Sequence, residues 1–138
     1  MASTLAVPQM ADIGLIGLGL MGENLALNMA DHGYRVALWT RSVGKVDRVI
    51  QEHGVGRQLV NPRTLENFTR SLAPPRRVLL MVKAGAPVDE MLEKLISLLS
   101  PDDIVIDGGN SFFRDSERRE AALRARGLHF VGMGVSGG

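Results

Sequence analysis

The segment Gly17-Leu18-Gly19-Leu20-Met21-Gly22 sets three glycines in a G-x-G-x-x-G pattern. Each glycine meets a separate need of a backbone that binds an anion. The first permits a tight turn, the second lets a pyrophosphate approach the chain, and the third lets a helix pack close to a strand. A helix starting within the segment adds unpaired N–H groups and the positive end of its dipole. About 20 residues further on, an Asp or Glu would bind a ribose 2′-hydroxyl. Here the sequence reads Trp39-Thr40-Arg41-Ser42, with no acid. Ser42 is placed to cap the next helix, yet Arg41 and Lys45 would bring two cations to a helix start, where the dipole disfavours them. A bound 2′-phosphate would resolve that conflict, so the pattern favours NADP over NAD.

Three more clusters stand where later apolar runs end: Lys83-Ala84-Gly85, Gly108-Gly109-Asn110-Ser111, and Gly134 to Gly138. Glycines there let the backbone approach a ligand, Asn110 carries both a donor and an acceptor, and Ser136 with Gly137 and Gly138 could form an anion-binding concavity. Other chemistries find little support. With no cysteine, a disulfide framework, a thiolate zinc cluster and a thiol nucleophile are excluded. His32, His53 and His129 are far apart and make no metal motif, so no metal is expected. A net charge of +1 argues against a nucleic-acid partner, and Arg76-Arg77 and Arg118-Arg119 read as a solvated loop and a solvated helix face.

These residues need a scaffold that gathers strand ends along one edge. From Asp12 onward, short β-rich apolar runs alternate with longer amphipathic stretches, the rhythm of an α/β domain with a parallel sheet. Strands are expected near Asp12 to Gly17, Arg35 to Trp39, Arg57 to Val60, Arg77 to Val82, Asp103 to Asp107 and Leu128 to Gly132. A first helix is expected from about Leu20 to Asp31, with Leu25, Leu27 and Met29 apolar and Gly33 as the left-handed residue beyond its end. The helix after the fourth strand should begin near Pro87 and bury Val88, Met91, Leu92, Leu95, Ile96 and Leu99 as one stripe. Two βαβαβ halves then give a doubly wound, Rossmann-like sheet in the order 3-2-1-4-5-6, with ligands at the switch between strands one and four. Residues 1–11 read as a disordered leader lacking signal and transit features, and residues 12–138 as one domain. No apolar run approaches membrane-spanning length, and the cytoplasm is the default compartment.

Val82-Lys83-Ala84-Gly85, Ile106-Asp107-Gly108-Gly109-Asn110-Ser111 and Gly134-Val135-Ser136-Gly137-Gly138 resemble, in order and spacing, the successive signatures of the 6-phosphogluconate dehydrogenases. Thr40-Arg41-Ser42 is similar to that family's Asn-Arg-Thr triplet, whose arginine holds the NADP 2′-phosphate. Thr40 departs from the family asparagine, and Gly19 stands where many members have alanine.

The resemblance implies that Gly17 to Gly22, Thr40, Arg41 and Ser42 bind NADP. Val82, Lys83 and Ala84 would line its nicotinamide-ribose side, while Asn110 would touch both cofactor and substrate. Ser136, Gly137 and Gly138 would open the 6-phosphogluconate site. It further implies oxidative decarboxylation to ribulose 5-phosphate by a homodimeric parent enzyme of the pentose phosphate pathway. The family's general-base lysine, general-acid glutamate and large helical domain follow the Val-Ser-Gly-Gly segment, so no catalytic residue is expected among these 138 residues. The expectation is therefore of a cofactor-binding domain, inactive alone. A stand-alone dinucleotide-sensing module and a domain of the related 3-hydroxyacid dehydrogenases remain open.

Overall fold

Strands with alternating inward faces and helices with single apolar stripes condense into one layered sheet. The structure, a computed structural model, describes residues 9–42 and 44–135. In chain order the elements are β1 (Ile13–Ile16), α1 (Leu20–Asp31), β2 (Val36–Trp39), α2 (Lys45–His53), β3 (Leu59–Val60), α3 (Leu65–Arg70), β4 (Arg77–Leu80), α4 (Ala86–Ile96), β5 (Ile104–Asp107), α5 (Phe113–Arg124) and β6 (His129–Gly132). All strand pairs are parallel, in the order β3-β2-β1-β4-β5-β6. The expected doubly wound α/β topology is the observed one.

The strands are shorter than expected, for local reasons. Arg57 does not open β3: its N–H closes a turn on the Gly54 carbonyl at 3.0 Å. Gly17 leaves β1 at φ 103° to begin the turn into α1. Past β4, the Met81 N–H still reaches the Ile16 carbonyl at 2.7 Å, but Val82 departs from the ladder. At the N-terminal side, Ala11 is buried and bridges to Leu72.

The period-two alternation divides the core into two layers. Ile16, Ala37, Val78, Leu80 and Val105 face α3, α4 and Leu123 of α5. Leu15, Val36, Leu38 and Leu79 face α1 and α2. A Cβ on Gly14 would lie 2.3 Å from the Phe68 ring, so glycine lets α3 lay that ring on β1. α1 buries Gly22, Ala26 and Ala30, while Leu25, Leu27 and Met29 are only partly buried; small residues at i, i+4 and i+8 bring the helix close to the sheet. α4 buries Val88, Met91, Leu92 and Leu95, with Ile96 packed at the margin; Leu99, expected on the same stripe, lies past the helix end and packs at the margin from the turn that follows.

Both arginine pairs depart from the solvated reading. Arg76 donates from Nη1 to Asp103 at 3.1 Å and from Nε to the Thr69 carbonyl at 2.8 Å. Arg119 is 1% exposed and lies between α4 and α5. In each pair the other arginine, Arg77 or Arg118, is the exposed one. Adjacent positions on a strand or helix face different ways, so two like residues meet opposite environments. Among the described residues no helix is long and apolar enough to cross a membrane.

Candidate functional site

The glycine turn separates into crowded and open positions. A Cβ on Gly17 would lie 2.3 Å from the Met81 carbonyl oxygen, and one on Gly22 would lie 2.0 Å from the Gly17 carbonyl oxygen. Both glycines are required by the protein's own packing. Gly19 is different: a Cβ there would meet nothing within 4 Å, at an extended φ of −71°. That space opens at the N-cap of α1, whose cap has no side chain to bond the first-turn N–H groups. A close-approaching anion is what this opening suits. Leu18 and Leu20 play unlike parts. Leu18 is 1% exposed and belongs to the core, so only its backbone faces the turn, whereas Leu20 stands out in solvent.

Beside the turn, the ends of β1 and β2 and the start of α4 enclose a cleft of ≈ 160 Å³, lined by Gly17, Trp39, Thr40, Arg41, Val82 and Pro87 among others. Trp39, Pro87 and Met91, expected only as parts of the scaffold, belong to this lining. Their signal was positional, since two lie in the first turns of α4 and one ends β2, next to the switch point. Ser42 is not the cap of α2. Gly44, left-handed at φ 87°, is the N-cap, and the Ser42 carbonyl accepts from Lys45 N–H at 3.2 Å. Nor is the Arg41 charge unbalanced: its Nη2 donates to Glu90 Oε2 on α4 at 2.8 Å, with both side chains more than half exposed. Arg41 lies in the wall of the cleft, and no acid immediately follows the end of β2.

On the other side of the switch point three loops meet. A Cβ on Gly109 would lie 3.1 Å from the Val82 carbonyl oxygen, and the Val135 N–H donates to the Gly108 carbonyl at 2.8 Å. The chain after β6 returns against the loop after β5, which itself abuts the loop after β4. Lys83 and Asn110 are exposed at this junction, and Ala84 is half-buried. Ser136, Gly137 and Gly138 lie outside the described residues.

Asp107, fully buried at the end of β5, shapes the Asn110 loop. It accepts from Gly109 N–H at 3.0 Å and from the Ser111 hydroxyl, and lies 3.8 Å from Arg119. Beyond that loop a wider cavity of ≈ 790 Å³ runs between α5 and β6, with Asn110, Ser111, Ser116, Met133 and Gly134 in its wall. The Arg119 hydrogen bond, with help from Arg118, holds the Asp89 carboxyl below the usual carboxylate range against the opposing effect of burial. Among the described residues no cluster of three or more His, Asp or Glu side chains is arranged to hold a metal ion.

Residues 12–138 match a family model described as the NAD binding domain of 6-phosphogluconate dehydrogenase. The chain belongs to this family. Decarboxylating 6-phosphogluconate dehydrogenases are 53% identical in Chlamydia muridarum, over 93% of this chain, and 51% identical in Rattus norvegicus, also over 93%. The chain spans only 27% and 26% of those two relatives. Among solved structures, 6-phosphogluconate dehydrogenase from Plasmodium falciparum superposes with a TM-score of 0.86 at 35% identity, over 92% of this chain and 27% of that one. That enzyme was solved in its apo form, with its cofactor NADP+ and with its substrate 6-phosphogluconate. The 3-hydroxyisobutyrate dehydrogenase of Mycobacterium tuberculosis shares the fold alone, with a TM-score of 0.74 at 19% identity, over 94% of this chain and 42% of that one. The family assignment agrees with the resemblance carried by the Val-Lys-Ala-Gly and Gly-Gly-Asn-Ser segments.

Proposed function

We propose that this chain binds NADP across the β1/β4 switch point and supplies the cofactor half of an oxidative decarboxylation of 6-phosphogluconate to ribulose 5-phosphate. The single observation that carries the reading is the contrast within the glycine turn. Gly17 and Gly22 are crowded by the protein, while Gly19 faces open space at a helix N-terminus. NADP supplies the hydride acceptor. The Gly19 turn receives its pyrophosphate, Arg41 pairs with its 2′-phosphate after releasing Glu90, and Val82, Lys83 and Ala84 lie along its nicotinamide ribose. Asn110 bridges cofactor and sugar acid, and Ser136 to Gly138 continue that site. Support for the substrate comes from the relatives, whose names and complexes carry 6-phosphogluconate. A homodimeric, cytoplasmic parent enzyme completes the proposal.

Calorimetry with NADP and NAD on the intact protein and on Arg41→Ala tests it. The parent should prefer NADP, and the variant should lose about tenfold of that preference, the scale of one charge-assisted hydrogen bond. An unchanged NADP to NAD ratio would remove Arg41 from the site.

A further inference from the structure

Arg119 makes contacts that neither the glycine turn nor the Arg41 cleft uses. From the middle of α5 its guanidinium reaches three places at once. Nε and Nη2 hold the two oxygens of Asp89, in the first turn of α4, at 2.9 and 3.3 Å. Nη2 also donates to the carbonyl of Gly85, the N-cap of α4, at 3.2 Å. Nη1 donates to the Ser111 hydroxyl at 3.2 Å and lies 3.8 Å from buried Asp107. Gly85 closes the loop after β4, and Asp107 and Ser111 bracket Asn110 in the loop after β5. One planar fork therefore ties the start of α4 to the Asn110 loop, adding directional side-chain contacts to the Gly108 N–H bond to the Leu80 carbonyl and the approach of Gly109 to the Val82 carbonyl.

Burial of a guanidinium is a poor way to gain stability alone, because well-packed apolar residues of similar volume serve as well or better. What the fork provides, and a leucine would not, is a set of directional contacts to both loops. These loops belong to the second mononucleotide half of the doubly wound sheet, across the switch point from the glycine turn and Arg41. We propose that Arg119 is a positioning residue for the nicotinamide half of the cofactor site, an inference that rests on the NADP reading above. It holds the Lys83-Ala84-Gly85 and Asn110 loops in register so that one nicotinamide ribose meets both, and it leaves the adenosine half untouched.

The Arg76–Asp103 pair gives an internal control. It joins the starts of β4 and β5 at the opposite end of the sheet and touches no loop of the site.

Calorimetry on the intact protein with NADP and with 2′,5′-ADP, which has the adenosine half and 2′-phosphate but no nicotinamide, separates positioning from stability. In Arg119→Lys, which keeps the charge and loses the fork, NADP affinity should fall about tenfold or more while 2′,5′-ADP stays within about twofold. Arg76→Lys should lower the melting temperature and leave both affinities alone. If Arg119→Lys does not fold, Asp89→Asn, at a partly exposed turn, should give the same split between ligands. Equal weakening of both ligands, or no change in either, in a folded Arg119 or Asp89 variant overturns the inference. A parent protein that binds neither ligand overturns the NADP reading and this inference with it.

Discussion

Gly19 and Gly22 sit three positions apart in one turn, and valine at each should do opposite things. Gly22→Val drives a Cβ into the Gly17 carbonyl oxygen, so it should cost stability on the scale of overpacking, about 1–3 kcal/mol or more by thermal or urea unfolding. Gly19→Val meets no protein atom, so the fold should keep its melting temperature while NADP binding is lost. Retained NADP affinity in Gly19→Val would place the pyrophosphate elsewhere. The glycine spacing alone suggested these roles, but only the surrounding atoms show which glycine serves the protein and which faces a ligand. Arg41 is a similar case. Its presence and the missing acid were legible in the sequence, yet its partner Glu90 lies 49 positions away and was not. Glu90 holds the guanidinium with a carboxylate where a phosphate is proposed to bind, so Glu90→Gln should tighten NADP and leave NAD unchanged. An exposed pair of this kind limits the gain to about fivefold, measurable by the same titrations.

At the scale of elements, α4 and α5 are joined by charge, through Asp89 on one and Arg118 and Arg119 on the other. The Asp89 carboxyl, lowered chiefly by its hydrogen bond from Arg119, stays ionised in the folded protein to a lower pH than in the unfolded chain. Its contribution is therefore fully present above the unfolded carboxylate pKa of about 3.9 and is lost as pH falls below that value. Asp31, lowered in the same direction by the hydrogen bond from Arg57, loses its contribution over the same window. Urea unfolding between about pH 2.5 and 6 should show parent stability falling with acid, with a shallower fall in Asp89→Asn. Because the Asp89 side chain is 42% exposed, solvent screening keeps the difference small. An unaltered pH profile in that variant would show that the α4–α5 pairing does not persist in solution. Element order and the α4 stripe were readable because periodicity is local. The start of α2 was not legible, because Ser42 is a better cap by type than Gly44, yet the chain turns there through a left-handed conformation, which glycine adopts without strain.

For the whole molecule, a ligand that crosses the switch point contacts both halves of the sheet and stabilises them together. NADP at about 100 times its dissociation constant should raise unfolding free energy by about 2.7 kcal/mol, read as a higher melting temperature, and NAD at the same concentration should raise it less. Equal shifts from the two nucleotides would argue against a 2′-phosphate contact. The order 3-2-1-4-5-6 and the edge at which Gly19, Arg41, Ala84 and Asn110 gather follow from the sequence by itself. Alternation of strands and helices, right-handed crossovers and glycine chemistry are all written within short stretches of chain. The fate of the arginines was decided only by the tertiary structure. Arg76 and Arg77 are neighbours, as are Arg118 and Arg119, and nothing in either pair marks which member is buried. The partners that determine it, Asp103 and Asp89, stand 27 and 30 positions away. A guanidinium enters the interior only where carboxylates and carbonyls from other elements converge to replace its water, and that convergence exists only once the sheet has brought those elements together.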